Sequence, residues 1–137
     1  MKINHWIIKS EPSTWSWDNQ LKENVTIWDG VRNYQARNNL MKMKKKDLCF
    51  FYHSVMERSI VGIVEVVKEF YPDPTDKTGR FVAVDVKTKC NINKPVCLDE
   101  IKNNSKLSGI PLIKQSRLSV MQITKSEWNT IIKMSKN

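Results

Sequence analysis

Two long runs separated by a turn-rich stretch constrain this chain more than any other feature. Ser59 to Phe70 is a β-rich run with one glycine, Gly62, and Phe81 to Ile92 answers it. In the second run Val82, Val84 and Val86 alternate with Ala83, Asp85 and Lys87, the period-two pattern of an antiparallel strand with one face exposed. Between them Tyr71-Pro72-Asp73-Pro74-Thr75-Asp76-Lys77-Thr78-Gly79 can only turn. Residues 59–92 therefore read as a long hairpin, with Gly62 marking a bulge or a close approach of another group. The rest of the chain has to complete a sheet around it.

The other segments do so in order. His5 to Ser10 reads as a short strand ended by Glu11-Pro12, since proline cannot donate to a ladder. Ser16 caps a short helix through Trp17, Leu21 and Lys22, and Val25 to Ile27 is a brief strand delivering Trp28. After the Asp29-Gly30 turn, Asn33 caps a helix whose Ala36, Leu40 and Met43 share one face. Leu48-Cys49-Phe50-Phe51-Tyr52-His53-Ser54 is apolar without interruption up to its polar end, as in a strand covered on both sides. Past Pro95, residues 98–102 form a short helix and Leu118 to Ile123 a strand. Thr124 to Glu127 is a capping box opening a last helix with Trp128, Ile131 and Ile132 inward. The order β-α-β-α-β-β-β-α-β-α describes an α+β fold, a curved sheet of five or six strands that nearly closes into a barrel flanked by short helices.

At 137 residues the chain is one domain, 1–137, able to bury about two-thirds of its unfolded surface without a covalent staple. Cys49, Cys90 and Cys97 are an odd set with no C-x-x-C pair and read as buried thiols in a reducing compartment. There is no signal peptide and no run long enough to span a membrane, so the expectation is a soluble intracellular protein, cytoplasmic in a bacterium, and a monomer. With two histidines and no cysteine partners for them, neither a metal site nor a cofactor is expected.

Charge points to a polyanion. There are 23 Lys+Arg against 14 Asp+Glu, a net +9. Between Asp29 and Asp47 lie Arg32, Arg37, Lys42, Lys44, Lys45 and Lys46 and no acid. This basic strip is the candidate phosphate-binding set, Arg37 with the four lysines. A solvated helix end, where cations also offset the dipole, would leave the same pattern.

Trp28, Arg32, Asn33, Tyr34, Gln35 and Arg37 gather around the Asp-Gly turn and the first coils of the following helix. They bring a flat apolar surface, amide groups and guanidinium forks, the parts needed to hold a flat polar heterocycle beside a phosphate. A plain folding role fits too, with the aromatics in the core, Asn33 only a cap and the arginines solvated. At the end of the first strand Lys9, Ser10 and Glu11 place an ammonium, a hydroxyl and a carboxylate together, or merely a surface salt pair. Four of the five tryptophans, Trp6, Trp15, Trp17 and Trp28, lie in the first 28 residues, more than so small a corner of core requires.

The motifs W-I-I-K-S-E-P at 6–12, W-D-G-V-R-N-Y-Q-A-R-N-N-L at 28–40, F-F-Y-H-S at 50–54, G-I-V-E-V at 62–66, Y-P-D-P-T at 71–75 and Q-S-R-L-S-V at 115–120 resemble the EVE domain family, of the thymocyte nuclear protein 1-like type, in the PUA-like superfamily. The resemblance spans nearly the whole chain and implies a PUA-like pseudo-barrel. It also implies a pocket for a modified base in DNA or RNA, for example a methylated or hydroxymethylated cytosine, as in the related YTH and SRA-type readers. Matched onto this sequence, it assigns base-pocket binding to Lys9, Ser10, Glu11, Trp28, Val31, Arg32, Asn33, Tyr52, His53, Ser54 and Arg117. His5 departs from the aromatic that often precedes the tryptophan in the family.

The expected function is a non-catalytic nucleic-acid-binding reader that holds one extruded base between aromatic faces while polar groups read its edge. The alternative is a small ASCH-type amidohydrolase acting on modified nucleosides, with Lys9 and Glu11 as the active pair. The chain shows no nucleophile motif to go with that pair.

Overall fold

Six strands form one mixed sheet in the order β2-β5-β4-β3-β1-β6. The computed structural model describes residues 2–55 and 57–136. The strands are β1 (His5–Ser10), β2 (Val25–Trp28), β3 (Leu48–His53), β4 (Ser59–Pro72), β5 (Val82–Cys97) and β6 (Val120–Ile123). Only β1 and β3 run parallel; the other neighbours are antiparallel. The helices are α1 (Trp17–Glu23), α2 (Tyr34–Lys42), α3 (Leu98–Lys102), α4 (Pro111–Lys114) and α5 (Lys125–Ser135).

The sheet curls, and one contact measures how far. Trp28 on β2 meets Phe51 on β3 edge-on, with ring centroids 5.6 Å apart, although β5 and β4 lie between those strands in the sheet. Register breaks in β4 and β5, at Ile60/Gly62, Ile63/Val64, Val66/Lys68 and Lys68/Tyr71, supply the bends that let long strands wrap. Gly62 is both of the things its position suggests. It sits at a register break, and a Cβ there would overlap the Trp17 indole, which lies on it.

β1 and β3 are covered on both faces. On the concave side Trp17 joins Trp28 against Phe51, 5.1 Å between the Trp17 and Phe51 centroids. On the convex side Phe50 stacks on Trp128 of α5 at 3.7 Å, and His5 tilts against the same indole at 4.8 Å. The opening of β1 is pinned by Asp47, a buried carboxylate that accepts from Asn4 N, Trp6 Nε1 and Lys44 N. The caps read from the sequence are all in place: Ser16 on Asn19 N, Asn33 on Ala36 N, and Thr124 with Glu127 in a capping box.

Four expectations need correction. The hairpin strands are longer than their alternation showed, since β4 reaches Pro72 and β5 runs on to Cys97 with Pro95 inside it. Segment 103–114, left without structure by the sequence, holds a 3₁₀ turn (Ser105–Leu107) and α4, because Leu107, Ile110 and Leu112 are each buried on turns too short to show a period. The last strand begins at Val120 and not at Leu118. Of the cysteines only Cys49 is buried; Cys90 is exposed and Cys97 intermediate, because both lie on the far half of β5, whose side chains mostly face solvent.

Candidate nucleic-acid interface

The curl brings the C-terminal end of β1 opposite β2, and the space between them is a cleft of about 940 Å³. Its walls are Lys9 to Glu11, Thr14 and Trp15 on one side, Val25 to Asn33 on the other, with Ser119 closing one end.

Each wall is held by named contacts. Lys9 N donates to Ser119 O at 2.9 Å and its Nζ to Ser116 O at 2.7 Å. Half-burial lowers the Lys9 pKa from its ordinary value. Thr14 N and Trp15 N both donate to Glu11 O at 2.9 Å, closing a turn that folds Trp15 back over the strand end. Ser10 Oγ secures that turn on Trp15 O, so Ser10 is a brace for the wall. The Trp15 indole donates from Nε1 to Gln20 Oε1 at 3.0 Å, and Gln20 is itself fully buried and donates to Asn24 O.

Opposite, Trp28 is buried down to 8% exposure, so it is at once core and cleft wall. Gly30 takes a φ of +79° that other residues adopt only with strain, and this turns the chain sharply after the indole. The turn is fixed from outside by Asp73 of the β4–β5 loop. Asp73 Oδ2 accepts from Gly30 N at 2.8 Å and Arg32 Nη1 at 3.0 Å, while Oδ1 accepts from Thr75 N at 2.7 Å and Thr75 Oγ1 at 2.6 Å. Burial alone would raise the Asp73 carboxyl, but the bonds from Thr75, Gly30 and Arg32 together outweigh it and hold the group below the usual carboxylate range. Asn33 uses Oδ1 on the α2 cap, leaving Nδ2 as its group for a ligand.

The cleft therefore combines two indoles, the apolar side chains of Val25 and Ile27, an ammonium, a guanidinium, and the carboxylates of Glu11, Glu23 and Asp29. Such a mixture can sandwich a flat ring and bond its edge with donors and acceptors.

Of the base-pocket residues expected from the sequence, the structure brings together Lys9, Ser10, Glu11, Trp28, Val31, Arg32 and Asn33. Tyr52, His53, Ser54 and Arg117 are not in its lining. Tyr52 pairs with Lys9 and is buried, its ring 5.9 Å from Lys9 Nζ. His53 pairs with Ser10 and turns inward, where Nε2 accepts from Trp17 N at 2.9 Å, so the ring holds the first turn of α1. Ser54 N donates to Ser10 O. Arg117 is exposed, between Ser116 and Ser119, which do meet Lys9.

The basic strip is also displaced. Lys44 to Asp47 form the turn that enters β3, Lys46 with φ +78°, and Asp47 is bonded to Asn4 ahead of β1. Lys44, Lys45 and Lys46 thus lie at the start of β1, whereas the cleft lies at its finish, because α2 runs back along the sheet and carries its C-terminal Lys42 away from Asn33. Of the six basic residues between Asp29 and Asp47, Arg32 lines the cleft and Arg37, in the second turn of α2, stays on its side. Sequence reasoning missed Trp15 and Asp73. The surplus of tryptophans signalled the first, and the Asp-x-Thr spacing of an Asx turn could have signalled the second.

Among the described residues no group of three or more His, Cys, Asp or Glu is placed to hold a metal, and no helix is long and apolar enough to cross a membrane.

Residues 4–134 match the family model described as EVE domain. Thymocyte nuclear protein 1 of Rattus norvegicus is 33% identical, over 96% of this chain and 73% of its own length. An NMR structure of a Rhodopseudomonas palustris protein superposes with a TM-score of 0.92 at 43% identity, covering 98% of this chain and 94% of that one. The crystal structure of human THYN1 in complex with 5-methylcytosine-containing DNA gives 0.91 at 30% identity, with 98% of each chain covered. A YTH domain of Zygosaccharomyces rouxii, solved with N6-methyladenosine RNA, gives 0.62 at 16% identity over 100% of this chain and 92% of that one, a likeness of fold alone.

Proposed function

From the premise that this chain belongs to the EVE domain family, we propose that it is a reader of nucleic acid that takes one modified base, a methylated or hydroxymethylated cytosine, into the cleft between β1 and β2. The observation that carries the reading is the cleft itself. Trp15 and Trp28 line it with aromatic side chains, while Lys9, Glu11 and Asn33 offer two donors and an acceptor in the same lining. Stacking is worth about 1–3 kcal/mol per base whatever its identity, so choice among bases falls to those polar groups and to the apolar side chains that meet a methyl. The human THYN1 complex with 5-methylcytosine-containing DNA supports the same ligand class here.

We read the site as binding without turnover. Burial moves the Lys9 pKa in the direction a lysine nucleophile needs, yet its Nζ donates to Ser116 O, which keeps the ammonium as a directed donor. One domain, 1–137, suffices for the reading, as a monomer alongside the nucleic acid inside the cell, in the cytoplasm of a bacterial source.

The test is a binding series on the purified protein with paired oligonucleotides, unmodified or carrying one 5-methylcytosine or 5-hydroxymethylcytosine, in DNA and RNA, with mass analysis of the same mixtures. Tighter binding to a modified member and an unchanged base are expected. Equal binding across the series sinks the reader. Acylated nucleosides incubated with the protein should likewise stay unchanged; loss of the acyl group with the parent but not with Lys9→Ala establishes the amidohydrolase instead.

A further inference from the structure

Beside the cleft four side chains form a ladder, a stacked pair of aromatic rings with a guanidinium at each end. Arg32 lies over the Phe81 ring, 5.4 Å from its centroid; Phe81 and Tyr34 stack at 5.1 Å and 29°; Arg37 lies over Tyr34 at 4.9 Å. The ladder begins at a cleft residue, since Arg32 lines the cleft, and its far half reaches solvent, since Tyr34 is 50% exposed and Arg37 partly exposed. Folding does not account for its open end. Tyr34 is the first residue of α2, outside the stripe of Ala36 and Leu40 that the helix buries.

The rungs are held in place. Arg32 is bonded to Asp73, Thr75 and Val31 O. Arg37 donates from Nη1 to Arg80 O at 3.1 Å and from Nε and Nη2 to Asn38 Oδ1 at 3.2 and 2.8 Å, which holds the guanidinium beside the tyrosine ring and leaves two of its five N–H groups for other acceptors. A flat cation fixed over an aromatic ring, with donors to spare, is a surface for a base and its phosphate. Arg80 adds a second exposed cation at the same place.

We propose that the Tyr34–Arg37 end of this ladder is a second subsite, which seats the nucleotide next to the one in the cleft. The flanking base lies against the exposed Tyr34–Arg37 pair and its phosphate is met by Arg37 and Arg80. The inference rests on the reading of the cleft as a base pocket and extends it from one nucleotide to two. It makes affinity depend on a neighbour that carries no modification. Because every base has a π-face, the subsite adds affinity with little preference for sequence.

The experiment compares two short single-stranded DNAs, each with one central 5-methylcytosine, one with ordinary neighbours and the other with abasic residues on both sides. The parent protein should bind the first about tenfold more tightly. Tyr34→Leu, which keeps an apolar cover on Phe81, should bind both alike, at the affinity of the parent for the abasic strand. Arg37→Gln should also narrow the gap. A parent that binds the two strands equally, or a Tyr34→Leu variant that keeps the preference, overturns the subsite while leaving the cleft reading in place. A parent that binds neither strand removes the cleft reading, and the subsite with it.

Discussion

Asp73 and Arg32 form an ion pair, 3.0 Å between Oδ2 and Nη1, in which the carboxylate is wholly enclosed and the guanidinium is 42% exposed. The asymmetry defines the roles. The acid is anchored by Thr75 and Gly30 as well, so it belongs to the scaffold, and the base is presented by it to the cleft rim.

Asp73→Asn should therefore loosen the Gly30 turn and release Arg32. The expected cost is about 1–3 kcal/mol, since buried donors lose their charged acceptor, read as a lower urea midpoint at neutral pH. The pH dependence follows from the depressed folded-state pKa. The Asp73 contribution is complete above the unfolded carboxylate value of about 4 and is lost as pH falls through the lower folded value. Asp76 in the same loop is pulled to about 2 by the Thr78 hydroxyl and by the backbone N–H groups of Thr78, Phe81 and Arg80. The Asp76 support should be lost as pH falls from about 4 to about 2, and the gap between parent and Asp73→Asn should close as pH falls from about 4 through the lowered Asp73 value. An unchanged gap at low pH contradicts the assignment.

Trp15 and Trp28 should separate by substitution. Trp28→Ala empties a core position against Phe51 and should cost about 3–5 kcal/mol in stability as well as binding. Trp15→Ala removes a partly exposed indole held by Gln20, so it should lower affinity for a 5-methylcytosine oligonucleotide by about tenfold while moving the urea midpoint less than Trp28→Ala does. Wild-type affinity in folded Trp15→Ala would take that side of the cleft out of the site.

Gly62→Ala drives a methyl into the Trp17 ring. A loss of about 1–3 kcal/mol or more is expected, because the indole is confined between β4 and Phe51. In a Trp17→Leu background the same glycine change should cost distinctly less, a coupling that a double-mutant cycle measures. Additive losses would mean that the close approach is not what requires glycine.

The placement of the basic residues predicts which of them report on phosphate. Arg37→Gln should reduce the slope of log affinity against log salt by about 0.7–0.9, one contact, whereas Lys45→Gln with Lys46→Gln, at the other end of β1, should leave it nearly unchanged. The opposite pattern, a slope flattened only by the lysine pair, would place the strand of nucleic acid along the β3 entry turn.

Chemistry confined to a few neighbouring residues was determined by the sequence alone. Asn33 bonds Ala36 and Thr124 bonds Glu127 within three positions, so those caps follow from residue types and spacing. The order of strands and of the helices other than α4 followed in the same way, because burial on one face imprints a period on the chain, and the single turn of α4 is too short to carry one. So did most of one cleft wall, since Trp28, Val31, Arg32 and Asn33 are consecutive or nearly so around the Asp-Gly turn.

Tertiary structure decided whatever depended on partners far away in the chain. Asp73 reaches Gly30 across 43 residues and Trp17 N reaches His53 across 36, and no local pattern encodes such pairs. The parallel pairing of β1 with β3 set Tyr52 and His53 beside Lys9 and Ser10 instead of in the cleft, and His53 was drawn inward to Trp17 N. The fold also separated the lysines from the cleft, because a helix laid back along a sheet puts residues that are close in sequence at opposite ends of it.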